Sequence, residues 1–465
     1  MNFSQSTVQF NSDLLQKYDR PIPRYTSYPP ATQLTPDFTT RDFLSAVEIG
    51  NYRQIPLSLY CHIPFCETPC YFCGCNTVIT QKKELAEIYL KHLIKDIEQT
   101  AALINSERIV HQLHWGGGTP NYLNLHQIEL LWSKINQFFK VDNQGEISLE
   151  INPKYLDRNY IYNLKSFGFN RISFGIQDFD HIVQQAINRV QPESILFEVM
   201  DSIKSAGFES VNVDLIYGLP FQNLATFRDT IAKTIKLNPD RIAVFNFAYI
   251  PWLKPVQKNL PQAALPSAAE KLAILQMTIT ELTNNGYVYI GMDHFAKPND
   301  ELAIAQREGQ LHRNFQGYTT KPESDLLGFG MTSISMLYDG YFQNQKRLRD
   351  YYQAIEQHKF PIERGVKLTH DDILRRTIIM ELMCQFRLNQ RDLEQKYHLG
   401  FDFDFETYFR QEIPELKDLE ADGLLTLSEE GIEVTPTGRL LIRNIAAVFD
   451  TYLKKQKTQT YSKAI

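Results

Sequence analysis

Leu57-Ser-Leu-Tyr60-Cys61-His62-Ile-Pro-Phe-Cys66-Glu-Thr-Pro-Cys70-Tyr-Phe72-Cys73-Gly-Cys75 is the stretch from which the rest of this chain can be read. It begins as a β-like apolar run, Leu57–His62, and passes directly into a loop dense in cysteine. Six cysteines occur in 465 residues, and five of them, Cys61, Cys66, Cys70, Cys73 and Cys75, fall within 15 positions. A disulfide framework spreads its cysteines to staple distant segments. Clustered thiols in a long chain point instead to a metal or to redox chemistry. The opening residues contain no basic stretch followed by an apolar core, so the expected compartment is the cytoplasm.

The spacing narrows the chemistry. Cys66-x3-Cys70-x2-Cys73 lets one loop wrap a small cluster, and thiolates suit zinc and iron–sulfur centres above other metals. Structural zinc takes four closed ligands, usually from two separated pairs. No second pair exists here, and Cys75 stands so near Cys73 that one loop must bend tightly to present both. Zinc held by Cys66, Cys70 and Cys73 with Cys75 or His62 stays an alternative. A 4Fe–4S cluster on three thiolates leaves one iron open for a ligand. Cys61 reads as a core residue of its strand, and Cys384 as a small core residue of a helix.

Outward from this loop, β-like runs alternate with amphipathic stretches. The runs are Leu57–His62, Val110–Trp115, Glu146–Ile151, Arg171–Ile176, Ser210–Ile216 and Arg241–Phe247. Helical patterns lie between them and after the last, the final one being Ser267–Asn285. This rhythm predicts an α/β fold with a parallel sheet, closing partly into a (β/α)6 barrel. The loops after the strands then form one rim, where such folds place their chemistry. The unusual motifs fall at strand ends: Gly116-Gly117-Gly118-Thr119-Pro120, Glu150, Gln177-Asp178, and Asp214 within an apolar strand, where a buried charge needs a partner.

Residues 1–50, broken by Pro21, Pro23, Pro29 and Pro30, read as an irregular arm. Residues 51–345 read as the barrel with a less regular extension from 287, and 346–465 as a mostly helical domain with a hairpin, resembling a winged helix. Hydrophobic residues make up 43% and charged residues 22%, which excludes a disordered chain. A net charge of −6 gives no basic footprint for nucleic acid, and no apolar run is long enough to span a membrane. A zinc-stabilised winged-helix regulator therefore has little support.

The Cys66/Cys70/Cys73 motif, with aromatic Phe72 before its last cysteine, resembles that of radical S-adenosylmethionine (SAM) enzymes. HIPFC, CYFCGC, LHWGGGTP, FNRISFGIQDF, NVDLIYGLP and IGMDHFA extend the likeness to the oxygen-independent coproporphyrinogen III oxidase (coproporphyrinogen dehydrogenase) family. It runs from RYTSYPPA to LLIRNIAAVFDTYL, almost the whole chain. Related haem chaperones, the alternative reading, share HIPFC and GGGTP but generally carry an aromatic where Cys75 stands, and they lack the arm motif.

The resemblance implies a 4Fe–4S cluster on Cys66, Cys70 and Cys73 and two SAM molecules. Tyr60, Gly117, Glu150 and Ile334 would take the first. Gly118, Thr119, Gln177, Arg189, Asp214 and Ala248 would take the second, with Phe72 and Cys75 also at the cofactors. For Ala248 and Ile334, residue type alone suggests core packing. The implied reaction turns two propionates of coproporphyrinogen III into vinyl groups, with electrons from a donor such as a flavodoxin or ferredoxin, in a monomer. Four carboxylates on that substrate make Arg20, Arg24, Arg307 and Arg313 candidate contacts, each equally readable as an ordinary surface arginine.

Overall fold

The computed structural model describes residues 8–321, 324–397 and 404–455. The chain packs as two compact units. One comprises Leu34–Tyr287 with Glu323–Lys367; the other comprises Met1–Gln33, Val288–Pro322 and Leu368–Ile465. These cuts fall at different places from the boundaries at 50 and 345 expected from sequence.

The first unit holds the alternating region. Strands β1 (Leu57–Ile63), β2 (Ile109–Gly117), β3 (Lys140–Ile151), β4 (Arg171–Gln177), β5 (Ser210–Tyr217) and β6 (Arg241–Asn246) lie side by side in chain order, all parallel. Helices α1 (Glu84–Ala101), α2 (Leu125–Phe138), α3 (Arg158–Phe167), α4 (His181–Ala186), α5 (Glu193–Ser205) and α6 (Leu224–Leu237) connect them, and α7 (Ala268–Asn284) follows. Each boundary has a local cause. Asn124 and Gln127 form a capping box at the start of α2, Asn223 and Thr226 do so for α6, and Gly168 ends α3 in the left-handed region. The six expected strands and the partial (β/α)6 barrel are borne out.

One face of this sheet is apolar and buries Leu59, Leu113, Trp115, Leu149, Phe174 and Leu215 beneath the helices. The opposite face is polar. Tyr60 pairs in register with His114, His114 with Ser148, Glu150 with Ser173, and Gly175 with Asp214. Because side chains alternate across a strand, the period-two polar residues share one face and line the inside of the partial barrel. Ser58 Oγ donates to Gln112 at 2.7 Å, and Gln112 Nε2 donates to Glu146 at 2.9 Å, so the deeper part of that face is a closed hydrogen-bonded row.

Two readings are corrected. The arm is not irregular throughout, because Thr40–Arg53 is a helix, capped by a Thr39/Asp42 box and burying Phe43, Ala46, Val47 and Gly50. Its i, i+3, i+4, i+7 spacing was present in the sequence. The less regular extension also carries sheet: β7 (Asp325–Phe329) lies parallel to β1, and β8 (Ile334–Leu337), β9 (Gly340–Asn344) and β10 (Ile362–Lys367) continue antiparallel beyond it. These strands are short and glycine-interrupted, so no hydrophobic period marks them.

In the second unit the arm lies across the C-terminal helices. Arg443 donates to the carbonyls of Ile22 and Pro23, and Tyr25 donates to buried Asp450 at 3.0 Å. Helix His370–Gln385, which buries Cys384, precedes a three-stranded antiparallel sheet of Arg387–Asn389, Leu425–Ser428 and Gly431–Val434, the hairpin expected from sequence. Among the described residues, no helix is long and apolar enough to cross a membrane.

Candidate active site at the strand ends

The cysteine loop, the glycine turn after β2 and the ends of β3, β4 and β5 enclose a cavity of about 290 Å³. Cys66, Cys70 and Cys73 line it together, as do Phe72, Cys75, Gly117, Gly118, Thr119, Glu150, Gln177, Arg189 and Asp214. Residues spread over 149 positions of sequence thus meet because the strands are parallel: most stand at or just beyond a strand end, Asp214 stands within its strand, and Arg189 follows the helix His181–Ala186.

Each of the three thiols lies against a hydrogen-bonding group. Thr119 Oγ1 lies 3.4 Å from Cys66 Sγ, Arg189 Nη1 donates to Cys70 Sγ at 3.6 Å, and the Cys75 N–H donates to Cys73 Sγ at 3.4 Å. The hydrogen bonding from Cys75 lowers the Cys73 thiol to about 6, against the burial that opposes it. The same contact pushes Cys75 upward. Cys73 is therefore disposed to be a thiolate and Cys75 a thiol. Among the described residues, no three or more His, Cys, Asp or Glu side chains gather closely enough to hold a single metal ion. Thiols spaced around a cavity suit a polynuclear cluster better than a closed tetrahedral zinc site.

The glycine turn needs its glycines. Gly117 adopts φ +114°, and a Cβ on Gly118 would come within 2.6 Å of the Pro64 carbonyl, so only bare backbone lets this turn lie against β1. Its Gly117 N–H donates to Glu150 Oε2 at 3.3 Å, and His114 Nε2 lies 3.3 Å from Oε1. Burial alone would raise the Glu150 carboxyl, but His114 and this N–H hold it below the usual range. Asp214 has fewer helpers. Burial pushes it up to about 7, and Asn212 Nδ2, at 2.8 Å, only partly offsets this.

Two further atoms fit a missing ligand. Gln177 sits at φ +70° with its Oε1 buried and without a hydrogen-bond partner, and Arg189 Nε is likewise buried and unpartnered. Buried polar groups are rarely left unpaired, so a polar molecule in this cavity would complete both. The donors on the thiols, the bare glycine backbone and these orphan atoms together fit a thiolate-bound cluster with a polar, zwitterionic cofactor.

Other expected site residues lie elsewhere. Tyr60 points along the same sheet face, its hydroxyl 3.1 Å from His62 Nδ1, but does not line the cavity. Ala248 is exposed after β6, and Ile334 starts β8. Asp178, next to Gln177, is buried away from the cavity, where it accepts bonds from Thr230 and Gln222. Arg20, Arg24, Arg307 and Arg313 all belong to the second unit. There Arg20 pairs with Glu415 at 3.2 Å, Arg24 pairs with Asp293, Arg307 donates to the Pro298 carbonyl at 2.8 Å, and Arg313 lies buried over the Tyr318 ring.

His114, His62, Asn212 and Lys254 were missed in the sequence. For His114 and Asn212 the signal was the alternation Gln112-x-His114-x-Gly116 and Asn212-x-Asp214, polar residues on one face of strands that are otherwise apolar. Burial lowers His62 to about 4, so it is a neutral ring, and it bonds the Asn76 carbonyl at the far end of the cysteine loop at 3.1 Å.

Known proteins resolve which family carries this arrangement. The radical SAM superfamily profile matches residues 60–234, and a "HemN C-terminal domain" profile matches residues 368–441. The oxygen-independent coproporphyrinogen III oxidase of Synechocystis sp. is 64% identical over 99% of both chains. The chain belongs to the oxygen-independent coproporphyrinogen III oxidase family. Its relative of the same name from Escherichia coli K12 is 47% identical over 99% of this chain and 100% of that one. The solved structure described as "Coproporphyrinogen III oxidase (HemN) from Escherichia coli is a Radical SAM enzyme" superimposes with a TM-score of 0.91, at 46% identity, covering 97% of this chain and all of that one. Residues 60–234 carry the radical SAM fold, and membership of the family supports the enzyme reading over a haem chaperone.

Proposed function

We propose that this enzyme converts coproporphyrinogen III to protoporphyrinogen IX without oxygen, by oxidative decarboxylation of two propionate side chains. The observation that carries the reading is the single cavity that joins Cys66, Cys70 and Cys73 to the glycine turn, Glu150, Arg189 and Asp214. When bound, a 4Fe–4S cluster and SAM would supply the one-electron radical chemistry that oxidative decarboxylation of a propionate needs.

The chain's own residues do the holding. Cys66, Cys70 and Cys73 carry the cluster, and Thr119, Arg189 and the Cys75 N–H steady their sulfur charge. The Gly117 backbone and Glu150 receive the first SAM, the carboxylate accepting from its polar groups while His114 keeps it ionised, and Gly118 and Thr119 stand with the second. Gln177, Arg189 and Asp214 serve a second SAM, for which the orphan Gln177 Oε1 is the supporting observation. Tyr60, Phe72, Ala248 and Ile334 keep their family roles beside these. The enclosing loops exclude water from the radical. The enzyme works in the cytoplasm as a monomer, with a flavodoxin or ferredoxin as electron donor.

The test is anaerobic reconstitution with iron and sulfide, followed by incubation with coproporphyrinogen III, SAM and a reductant. Protoporphyrinogen IX, carbon dioxide, methionine and 5′-deoxyadenosine are the expected products. SAM cleavage without any vinyl product would overturn the reading.

A further inference from the structure

One loop at the cavity contains none of the residues assigned above to a cofactor. Tyr249-Ile-Pro-Trp252-Leu253-Lys254-Pro-Val-Gln257 follows β6. It is stiff: Gln257 is 2% exposed, and its side chain accepts from the Ile250 N–H at 2.6 Å and donates to the Ala248 and Phe72 carbonyls at 3.2 and 3.3 Å. The Leu253 and Lys254 N–H groups both close onto the Ile250 carbonyl at 2.9 Å. Gln257 thereby ties the loop to the cysteine loop itself.

Two features stand out on so rigid a frame. Trp252 and Leu253 are each 65% exposed, among the most exposed large apolar side chains of the described residues. Adjacent apolar groups held out in water by an ordered loop mark a binding surface more often than a packing one. Beside them, Lys254 lines the cavity, its ammonium 3.3 Å from the Cys75 carbonyl and 3.2 Å from Asn76 Oδ1. Both partners are neutral oxygens. Two of the ammonium's three donor directions are thus used and a third remains, within reach of the thiol loop, in a chain whose net charge is −6.

The proposal rests on the function proposed above and names its substrate wall. We propose that Ile250–Gln257 receives the porphyrinogen: Lys254 pairs with a propionate carboxylate, and Trp252 with Leu253 packs against the apolar ring edge. The charge complementarity selects this occupant. A tetracarboxylate macrocycle presents an apolar face beside anionic arms, and the loop presents apolar side chains beside one cation. Pairing one propionate next to Cys75 brings its neighbours on the same ring system to the cavity where hydrogen is removed. Lys254 is thus a specificity residue rather than a catalytic one.

The test uses the full-length, anaerobically reconstituted enzyme, with initial rates measured against coproporphyrinogen III at saturating SAM and reductant. Lys254→Met keeps the stem and removes the charge. It should raise KM for the porphyrinogen about tenfold, the scale of one charge-assisted hydrogen bond, while kcat stays within about twofold and cluster absorbance and SAM binding are unchanged. Lys254→Arg should restore most of the KM. Trp252→Ala should raise the same KM about fivefold without touching SAM binding. Unchanged KM in both Lys254→Met and Trp252→Ala overturns the proposal. So does a change confined to the reductant's KM, which would make the loop a docking face for the electron donor. Cluster loss in both Lys254 variants also overturns it, by reducing Lys254 to a brace for the cysteine loop. A wild type that forms no vinyl product removes the functional reading together with this proposal, whereas a competent wild type with an indifferent Lys254→Met removes this proposal alone.

Discussion

Glu150, near the end of one strand, and Asp214, within another, belong to one sheet and face one cavity, yet they sit in opposite protonation regimes. Glu150 is held below the carboxylate range by His114 and the Gly117 N–H, whereas Asp214 is pushed up to about 7 with Asn212 as its hydrogen-bond donor. Burial acts on them in the same direction; the partners differ. At neutral pH the cavity therefore has an anionic end beside the glycine turn and an end at Asp214 that takes up a proton near neutrality. Glu150 itself adds to the upward push on Asp214, so neither carboxylate is independent of the other.

The largest effect expected is one that destroys the contrast by removing what both ends serve. Cys66→Ser should lose the cluster's visible absorbance and all turnover, because a serine oxygen is a poor substitute for a thiolate on iron. Cys75→Ser should keep the absorbance, since Cys75 contributes a backbone N–H to Cys73 rather than a ligand of its own. Cluster loss in Cys75→Ser would move it into the ligand set.

Separating the two ends comes next. Asp214→Ala should lower the SAM bound at saturation from two equivalents to about one while leaving the cluster intact, and Glu150→Ala should abolish reductive SAM cleavage. Removing a buried partner leaves donors unpaired, at roughly 1–3 kcal/mol for each group. Equilibrium binding of labelled SAM to the anaerobic protein measures the first. An unchanged count in Asp214→Ala would make that residue a strand brace.

The smaller effects sharpen the comparison through pH. Asp214 is raised in the folded state, so its stabilising contribution is complete below about pH 4 and is lost as pH rises towards about 7. Asp214→Asn should leave the stability of the cofactor-free protein unchanged near pH 4 and increase it at pH 8, by roughly 2–4 kcal/mol at 1.36 kcal/mol per unit. Glu150 is lowered, so its contribution is present above pH 4.5 and is lost as pH falls through its folded value. Glu150→Gln should therefore destabilise at pH 7, by less than about 1 kcal/mol because the side chain half faces the open cavity, and the loss should vanish in acid. Melting curves across this range for both variants decide whether the two carboxylates differ in sign. Parallel pH profiles would break the comparison.

The sequence by itself determined the sheet and the cluster loop. Six apolar runs separated by amphipathic stretches leave a parallel α/β arrangement as the way to bury those runs, and the cysteine spacing is a local property that survives any packing. The strand-end positions of Gly117, Glu150 and Gln177, and the place of Asp214 within its strand, followed from the same reading. What stayed illegible had non-local causes. The strand Asp325–Phe329 is too short and glycine-broken to show a period, and it is a strand because β1 offers it an edge. His114 gains its role through register, which places it against Ser148 and within reach of Glu150. That Asp214 needs a partner was legible, but only the folded sheet shows that a neutral amide two residues away fills the place and leaves the acid near neutrality. Lys254 looked like one lysine among many until tertiary structure laid its loop along the thiols. A spacing of residues can name a chemistry, but the strength of each charge depends on which groups the fold brings within hydrogen-bonding distance and which it shuts away from water.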